Sequence, residues 1–218
     1  MFAHAAEAFA DVAAGSRVTF VPYALADWDG YAERVISALG AFGIDATSAH
    51  RSPRPAAAIL DAEVVMMGGG NTFRLLDSLC RLGVVDGLGV RVRAGSARYI
   101  GSSAGTNVAG PTIRTTNDMP IVEPQGFDAL GLVPFQINPH YLDADPGSTH
   151  MGETRAERLA DFHEENATPV VGLRERAEPA AVNVLEDIWA LGLAQKRDHR
   201  DHDQQRFEAF AHQNRECA

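Results

Sequence analysis

The sequence has few cysteines, a shortage of basic residues and no long apolar run, and each shortage excludes a class of protein. Its two cysteines are too few for a disulfide framework, which favours a reducing cytoplasm. The 19 Lys and Arg residues are outnumbered by 29 Asp and Glu residues, and the net charge of −10 argues against nucleic-acid binding. No apolar run approaches the roughly 18 residues that span a membrane, and no signal-peptide pattern opens the chain. We therefore expect a cytoplasmic protein with no nucleic-acid or membrane partner.

The histidines are not arranged as metal ligands either. The chain has eight histidines, but it contains no His-x-x-x-His motif, and no carboxylate cluster has ligand spacing. His199 and His202 lie close together only in a polar C-terminal tail, a composition typical of a solvated or disordered segment. We therefore expect no metal ion and no other cofactor.

Strand and helix patterns alternate along the chain. Residues 18–23 and 64–67 are short apolar runs typical of buried strands, while apolar side chains recur at helical spacing over residues 31–42. Such alternation predicts a three-layer α/β fold, a mainly parallel sheet with helices on both faces. We assign a single α/β domain to residues 1–194 and a polar tail to residues 195–218.

The pentapeptide Gly-Ser-Ser-Ala-Gly at residues 101–105 is the most informative motif, since it follows an apolar run and precedes a helix-compatible stretch. This is the pattern of a nucleophile elbow, a strand–turn–helix whose sharp reversal exposes the central serine and requires small neighbours. The elbow would present the Ser103 Oγ at the carboxyl edge of the sheet. It would also leave the N–H of Ala104 free to bind an oxyanion. The alternative is an ordinary Gly- and Ser-rich loop.

Three glycines and an asparagine, residues 68–71, directly follow the apolar run at residues 64–67. Glycines at the end of a buried strand allow the backbone to approach a ligand closely, so their N–H groups would supply a second oxyanion donor. In the alternative interpretation, the segment is only a tight turn in which Asn71 caps the helix that starts near Thr72.

His140 and Asp118 are the candidate partners of Ser103. His140 ends a strand-like segment and follows Pro139, so its imidazole would leave the strand in a defined direction, at the edge where open α/β sheets hold their sites. Asp118 lies in a polar loop between Ser103 and His140, where its carboxylate would fix the tautomer of the imidazole. An Asx-turn before Pro120 explains the same aspartate equally well.

Five segments of the chain together carry a family resemblance. They are Gly-Gly-Gly-Asn-Thr-Phe from residue 68, Ser-Ala-Gly-Thr-Asn from residue 103, Pro-Thr-Ile-Arg-Thr-Thr-Asn-Asp-Met-Pro from residue 111, Ile-Asn-Pro-His-Tyr from residue 137 and Gly-Glu-Thr-Arg from residue 152. These segments resemble those of the aspartyl dipeptidases, also called peptidase E. The resemblance implies a flavodoxin-like core related to class I glutamine amidotransferases, and a cytoplasmic serine peptidase that splits Asp-X dipeptides through an acyl-enzyme. It also implies Ser103 as nucleophile, His140 as base and Asp118 as orienting carboxylate, with the N–H groups of Gly70 and Ala104 as oxyanion hole.

The resemblance also suggests residues that contact the substrate. A glutamate in a Gly-Leu-Pro-Glu-Gly segment of the family is a second candidate for the third triad member, and it corresponds to Glu175, although its proline and glycine neighbours are replaced here. We prefer Asp118 because its motif is intact, and we keep Glu175 as a ligand of the substrate amine or an alternate orienter. Selectivity for aspartate requires a cation, and Arg155 and Arg114 are the candidates because a guanidinium binds both oxygens of a carboxylate. Asn71 is a further candidate for substrate contact.

Both ends of the chain depart from the family pattern. Family members open with an apolar strand ahead of the helix that begins here near Phe2, so we expect a domain that lacks this first strand. Exposed strand edges would favour pairing as a homodimer. Two other functions are therefore kept as alternatives. One is a related serine hydrolase of β-aspartyl bonds, similar to cyanophycinase, and the other is a folded but inactive homologue that binds aspartyl peptides.

Overall fold

The computed structural model describes residues 6–144, 147 and 152–174, all of which belong to one unit, Met1–Ala181. These residues form short strands and helices in alternation. No helix in this part of the chain is long and apolar enough to cross a membrane. The elements are α1 (Ala6–Ala13), β1 (Val18–Val21), α2 (Trp28–Gly40), β2 (Ala46–Ser48), a 3₁₀ helix (Ala49–Arg51), α3 (Pro55–Leu60), β3 (Val64–Met67), α4 (Thr72–Leu82), α5 (Val85–Arg93), β4 (Arg98–Gly101), α6 (Ala104–Asn107), β5 (Gln136–Pro139), α7 (Arg155–Glu165) and β6 (Val170–Leu173).

Four of the strands form a parallel sheet in the order β2-β1-β3-β4. Within it, β1 pairs with β3 from Val18↔Val64 to Val21↔Met67, and β3 pairs with β4 as far as Met67↔Gly101. The strands β5 and β6 form a second parallel pair. Parallel neighbours need a crossover connection, which explains why helices separate most consecutive strands. The predicted parallel α/β fold is confirmed, although in the described residues β5 and β6 pair apart from the four-stranded sheet.

Helices cover both faces of the four-stranded sheet. Successive side chains of a strand point to opposite faces, so Phe20 of β1 and Met66 of β3 share one face, where they join a core with α1 and α2. Met67 faces the other side against α6, where a Cβ added to Gly105 would lie 2.7 Å from the Met67 Cβ. All four residues of β3 are buried, as expected of a strand that is covered on both faces. Burial of each large side chain, Phe20, Met66 and Met67, stabilises the folded state by about 1.5–3 kcal/mol.

The carboxyl ends of β3 and β4 bring two loops side by side. Residues 68–71, the glycine turn, follow β3, and residues 101–105, the elbow, begin at the end of β4. The Ser102 N–H donates to the Met67 carbonyl at 3.1 Å, so the elbow starts against the end of β3. A Cβ added to Gly69 would lie 3.1 Å from the Ser103 Cβ. The topology therefore places the two predicted oxyanion loops in contact at one edge of the sheet.

Candidate active site

Ser103 lies in a strained turn between β4 and α6. Its backbone has φ 52° and ψ −106°, a conformation that residues with a side chain rarely adopt. The reversal leaves no room for side chains at the flanking glycines. A Cβ on Gly101 would lie 2.8 Å from the carbonyl carbon of Gly105, and a Cβ on Gly105 would collide with the carbonyl of Met67. The segment is therefore a strand–turn–helix elbow, because an ordinary loop needs neither the strain nor the two glycines.

Ser103 and His140 are joined by a hydrogen bond. The Ser103 Oγ lies 2.7 Å from the His140 Nε2, within the range needed for proton transfer. His140 directly follows β5 and has φ 57°. The backbone on both sides of it is held, because the Asn117 side chain donates to the Pro139 carbonyl at 2.7 Å and the Tyr141 N–H donates to a carbonyl of β6 at 2.9 Å. The structure thus brings the expected nucleophile and base together.

Two backbone N–H groups beside Ser103, those of Gly70 and Ala104, have no hydrogen-bond partner among the described residues. The adjoining N–H groups are bonded: that of Gly69 donates to a tyrosine hydroxyl at 2.8 Å, and that of Gly105 donates within the elbow at 2.9 Å. A pair of unpaired N–H groups, one from each of two touching loops, is the arrangement that an oxyanion hole requires.

The glycine turn is anchored to the loop after β1 and to the loop before β5. The Asn71 N–H donates to the Ala24 carbonyl at 2.9 Å, and a Cβ on Gly70, where φ is +136°, would lie 2.6 Å from the same oxygen. The Asn71 side chain accepts from the Arg74 N–H at 3.0 Å and donates to the Met119 carbonyl at 2.8 Å. The cap of α4 is therefore present. A contact between Asn71 and substrate would have to replace one of these two side-chain bonds.

Asp118 is bound to the N-terminus of α4. Its Oδ2 accepts from the Thr72 N–H at 2.7 Å and from the Thr72 hydroxyl at 2.6 Å, an arrangement that the helix dipole favours. The Asp118 N–H donates to the Thr116 hydroxyl at 3.2 Å, and the Asx-turn expected of the Asp118 side chain is not formed among the described residues. Among the described residues, no hydrogen bond or ion pair joins Asp118 to His140, and the expected orienting contact is not formed. Glu175, the other candidate, lies outside the described residues.

Three arginines line one cleft, here named the arginine cleft: Arg114, Arg155 and Arg158. The Arg114 guanidinium stacks over the ring of Phe127 at 4.8 Å. None of the three forms an ion pair within the described ranges. Three uncompensated cations around one cleft favour an anionic ligand.

The arginine cleft borders the segment that carries His140. Asn117 and Asn138 also line it. The Asn138 side chain donates to the Asn117 Oδ1 at 2.9 Å, and the Asn117 side chain in turn donates to the carbonyl of Pro139, the residue before His140. The wall of the cleft and the base are therefore held by one hydrogen-bond network.

Arg158 is the member of the cleft that sequence reasoning missed. It lies three residues after Arg155 on α7, and residues three apart share a face of a helix, so the spacing alone could have indicated it. The intervening Glu157 does not neutralise these arginines because it closes a capping box with Thr154, accepting from the Thr154 N–H at 2.7 Å. These hydrogen bonds from Thr154 hold the pKa of the Glu157 carboxyl below its ordinary value.

The arrangement can carry out acyl transfer. It offers a hydroxyl nucleophile, an imidazole base within hydrogen-bond distance, unpaired donors for a developing oxyanion, and a nearby cationic cleft. No group of three His, Cys, Asp or Glu side chains in the described part of the chain is arranged to hold a metal ion.

Comparison with known proteins identifies the family. The family model "Peptidase family S51" matches residues 1–188. The chain belongs to peptidase family S51. Two curated relatives are "Peptidase E" from Streptomyces coelicolor, 60% identical over 162 residues, and "Probable alpha-aspartyl dipeptidase" from Drosophila melanogaster, 50% identical over 158 residues. The matches cover 74% and 72% of this chain and 66% of each relative, so the chain spans slightly less than two thirds of their length.

Solved structures agree with the S51 assignment. A peptidase E protein from Listeria monocytogenes superposes with a TM-score of 0.57 at 25% identity, covering 79% of this chain and 86% of its own. A peptidase from an acI-B1 Actinobacterium has a TM-score of 0.52 at 16% identity, over 79% of this chain and 75% of its own, and supports the fold alone. The S51 family thus matches the resemblance that the sequence segments indicate.

Proposed function

We propose that the chain is a serine peptidase that hydrolyses dipeptides with an amino-terminal aspartate. The observation that carries the proposal is the 2.7 Å contact between the Ser103 Oγ and the His140 Nε2, on a strained elbow beside two N–H groups that have no partner in the described part of the chain. The names of the two S51 relatives, peptidase E and alpha-aspartyl dipeptidase, supply the substrate class.

In the acylation step, the His140 Nε2 takes the Ser103 proton while the Oγ attacks the peptide carbonyl carbon. The carbonyl oxygen becomes an oxyanion between the N–H groups of Gly70 and Ala104, and each donor stabilises the transition state by roughly 3 kcal/mol. The C–N bond then breaks as the imidazolium gives its proton to the leaving amine. The products are the free second residue and an aspartyl ester on Ser103.

In the deacylation step, a water molecule gives a proton to His140 and attacks the ester carbonyl. The second oxyanion occupies the same hole, and its collapse breaks the C–O bond to Ser103, which regains its proton from the imidazolium. Free aspartate leaves, and the enzyme returns to its starting protonation state. No cofactor enters either step.

Substrate selectivity is assigned to the arginine cleft. The side-chain carboxylate of the aspartyl residue would bind Arg155 and Arg114, with Arg158 on the same helix face as Arg155. A bidentate guanidinium–carboxylate pair distinguishes aspartate from its neutral amide, asparagine, because the amide supplies only one acceptor oxygen.

The orienting carboxylate is assigned to Glu175. Among the described residues the Asp118 carboxylate binds Thr72 and forms no hydrogen bond to His140, which leaves Glu175 as the remaining acid that the family resemblance suggests. In this proposal Glu175 holds the His140 tautomer, and Asp118 supports catalysis only by fixing the start of α4 next to the glycine turn.

Two further features stay predictions: a cytoplasmic location, which two cysteines in 218 residues favour, and a homodimer. Light scattering on the purified chain would test the dimer directly.

The first test is hydrolysis of Asp-Leu by the purified chain and by Ser103→Ala. We expect the substitution to abolish turnover, a loss of at least about 10⁴-fold, because the nucleophile is removed. Glu-Leu and the β-aspartyl isomer of Asp-Leu are the matched control substrates. Preferential cleavage of the β-aspartyl peptide would replace the proposal by a cyanophycinase-like activity. Binding of Asp-Leu without turnover by the folded wild-type chain would identify an inactive homologue.

A further inference from the structure

The hydroxyl of Tyr31 accepts a hydrogen bond from the Gly69 N–H at 2.8 Å. Tyr31 lies in the first turns of α2 and is 9% exposed. We propose that Tyr31 is a positioning residue that fixes the glycine turn so that the Gly70 N–H is presented to the oxyanion. The inference rests on the proposed function, since it assigns Tyr31 a part in the same hydrolytic reaction.

The glycine turn has four backbone N–H groups, and three of them are bonded. The Gly68 N–H donates to the Val21 carbonyl at 3.1 Å, the Gly69 N–H donates to Tyr31, and the Asn71 N–H donates to the loop after β1 at 2.9 Å. The Gly70 N–H alone lacks a partner within the described residues. The bond to Tyr31 is the only one of the three that depends on a side chain, so it can be removed without changing the backbone.

Three consecutive glycines are the reason why such a bond is needed. Glycine adopts positive and negative φ with similar ease, so the glycine sequence alone does not fix the orientation of the peptide groups in the turn. The Gly69 nitrogen is one residue away from the Gly70 nitrogen, and Gly69 also contacts the elbow, since its added Cβ would lie 3.1 Å from the Ser103 Cβ. Holding the Gly69 N–H therefore restricts the rotation that would turn the Gly70 N–H away from the serine.

The ring of Tyr31 is itself held in place. It packs edge-on against Phe20 with ring centroids 5.1 Å apart. A Cβ on Gly68 would lie 2.8 Å from the ring Cε1 and 2.9 Å from the hydroxyl oxygen, so the tyrosine reaches the turn only because this position is glycine. Burial raises the pKa of Tyr31, which keeps the hydroxyl neutral at the pH where a neutral histidine acts as base.

The test is Tyr31→Phe, which removes the hydroxyl and keeps the ring on Phe20 and Gly68. We expect kcat for Asp-Leu to fall by about 10- to 100-fold, a part of the loss seen when an oxyanion donor is removed, with KM within about twofold of wild type. The control is Tyr23→Phe, because Tyr23 is also buried and its hydroxyl forms no hydrogen bond among the described residues. We expect the control to keep wild-type kcat.

A substrate-independent readout separates this inference from the proposed function. A fluorophosphonate labels an activated serine and also places a phosphoryl oxygen in the oxyanion hole, so the labelling rate of Ser103 should fall in parallel with kcat. If the wild-type chain is labelled but leaves Asp-Leu intact, the proposed function fails and the labelling rate of Tyr31→Phe still tests the inference. The inference would be overturned if Ser103 of Tyr31→Phe were labelled at the wild-type rate, or if Tyr23→Phe lost as much labelling rate as Tyr31→Phe. The inference also fails if Tyr31→Phe melts more than about 5 °C below wild type and loses substrate binding by the same factor as kcat. Tyr31 would then have a purely structural role.

Discussion

Ser103 and His140 are separated by 37 residues in sequence, and their side chains meet at 2.7 Å because each lies within two residues of the carboxyl end of a strand, β4 or β5. Both have positive φ, 52° and 57°, although neither is glycine. Such backbone strain costs of order 1–3 kcal/mol per residue and persists only where the surroundings enforce it. At the scale of the residue, the pair is therefore held in reacting geometry before any substrate binds.

The contacts of Asp118 lead to a prediction about how it acts. If Asp118 works through Thr72, the substitutions Asp118→Asn and Thr72→Ala should be non-additive, with a coupling of about 1–3 kcal/mol in the free energy of unfolding. Urea denaturation of the two single variants and the double variant gives this coupling. Glu175→Gln should instead lower kcat by about 10³- to 10⁴-fold with little change in stability, as expected of an acid that orients the base.

If the effects of Asp118→Asn and Thr72→Ala on the free energy of unfolding are additive, Asp118 does not act through its bonds to α4. Together with a near wild-type Glu175→Gln, this result would return the orienting role to Asp118.

The arginine cleft gives a second prediction at the residue scale. Arg155→Gln and Arg158→Gln should each raise KM for Asp-Leu by about 10- to 100-fold, because a charge-assisted hydrogen bond contributes about 1.5–3 kcal/mol. Activity on Asn-Leu should change little, so the preference for Asp-Leu over Asn-Leu should shrink. Arg17→Gln is the matched control, since Arg17 is exposed, precedes β1 at the end of the sheet away from Ser103, and pairs with Asp45 at 2.6 Å. Equal losses on Asp-Leu and Asn-Leu would remove the cleft from substrate recognition.

At the scale of the element, the site depends on how closely α6 approaches the end of β3. The first turn of α6 lies so near that a Cβ on Gly105 would collide with the Met67 carbonyl. The elbow cannot move away, because the Ser102 N–H is bonded to the same carbonyl at 3.1 Å. The end of β3, the elbow and α6 therefore pack closely around Gly105, and this packing requires glycine at that position.

This packing predicts opposite effects of two glycine substitutions. Gly105→Ala should destabilise the chain by about 1–3 kcal/mol or more, since backbone atoms must shift to admit the methyl group, and kcat should fall with it. Gly40→Ala is the matched control, because Gly40 lies in α2 with nothing within 4 Å of an added Cβ. We expect it to be neutral or to stabilise by about 0.5–1 kcal/mol. Thermal unfolding of both variants provides the comparison, and equal stability of the two would contradict the packing described for the elbow.

At the scale of the whole molecule, the alternating sequence pattern was sufficient to predict a parallel α/β fold and a strand–turn–helix around Ser103. These features depend on local signals, namely apolar runs, glycines and their order. The bonds of Asp118 depend instead on a tertiary contact with Thr72, which lies 46 residues earlier in the sequence. No local sequence pattern indicates that contact. The same holds for Tyr31, whose bond to Gly69 spans 38 residues. Local motifs thus predicted the elements, and tertiary contacts decided which side chains share a site.

The net charge of the whole chain does not predict the charge at the arginine cleft. The chain carries −10 overall, a value that gives no reason to expect an acidic ligand. The arginine cleft nevertheless gathers three cations that have no ion-pair partner in the described ranges. The attraction proposed for an acidic substrate would therefore be a local property of α7 and the loop before β5.

The separation of the two proposed oxyanion donors, the Gly70 and Ala104 N–H groups, is set by the sheet. They follow β3 and β4, which pair in register as far as Met67↔Gly101, and neighbouring strands keep a spacing of about 4.8 Å. The arginines instead come from α7 and from a loop, outside that pair of strands. If the arginine cleft selects the substrate as proposed, exchanging residues on α7 would change the substrate while the geometry of β3, β4 and their loops stays constant. On that proposal, bond-breaking chemistry and substrate choice would depend on different elements and could diverge separately.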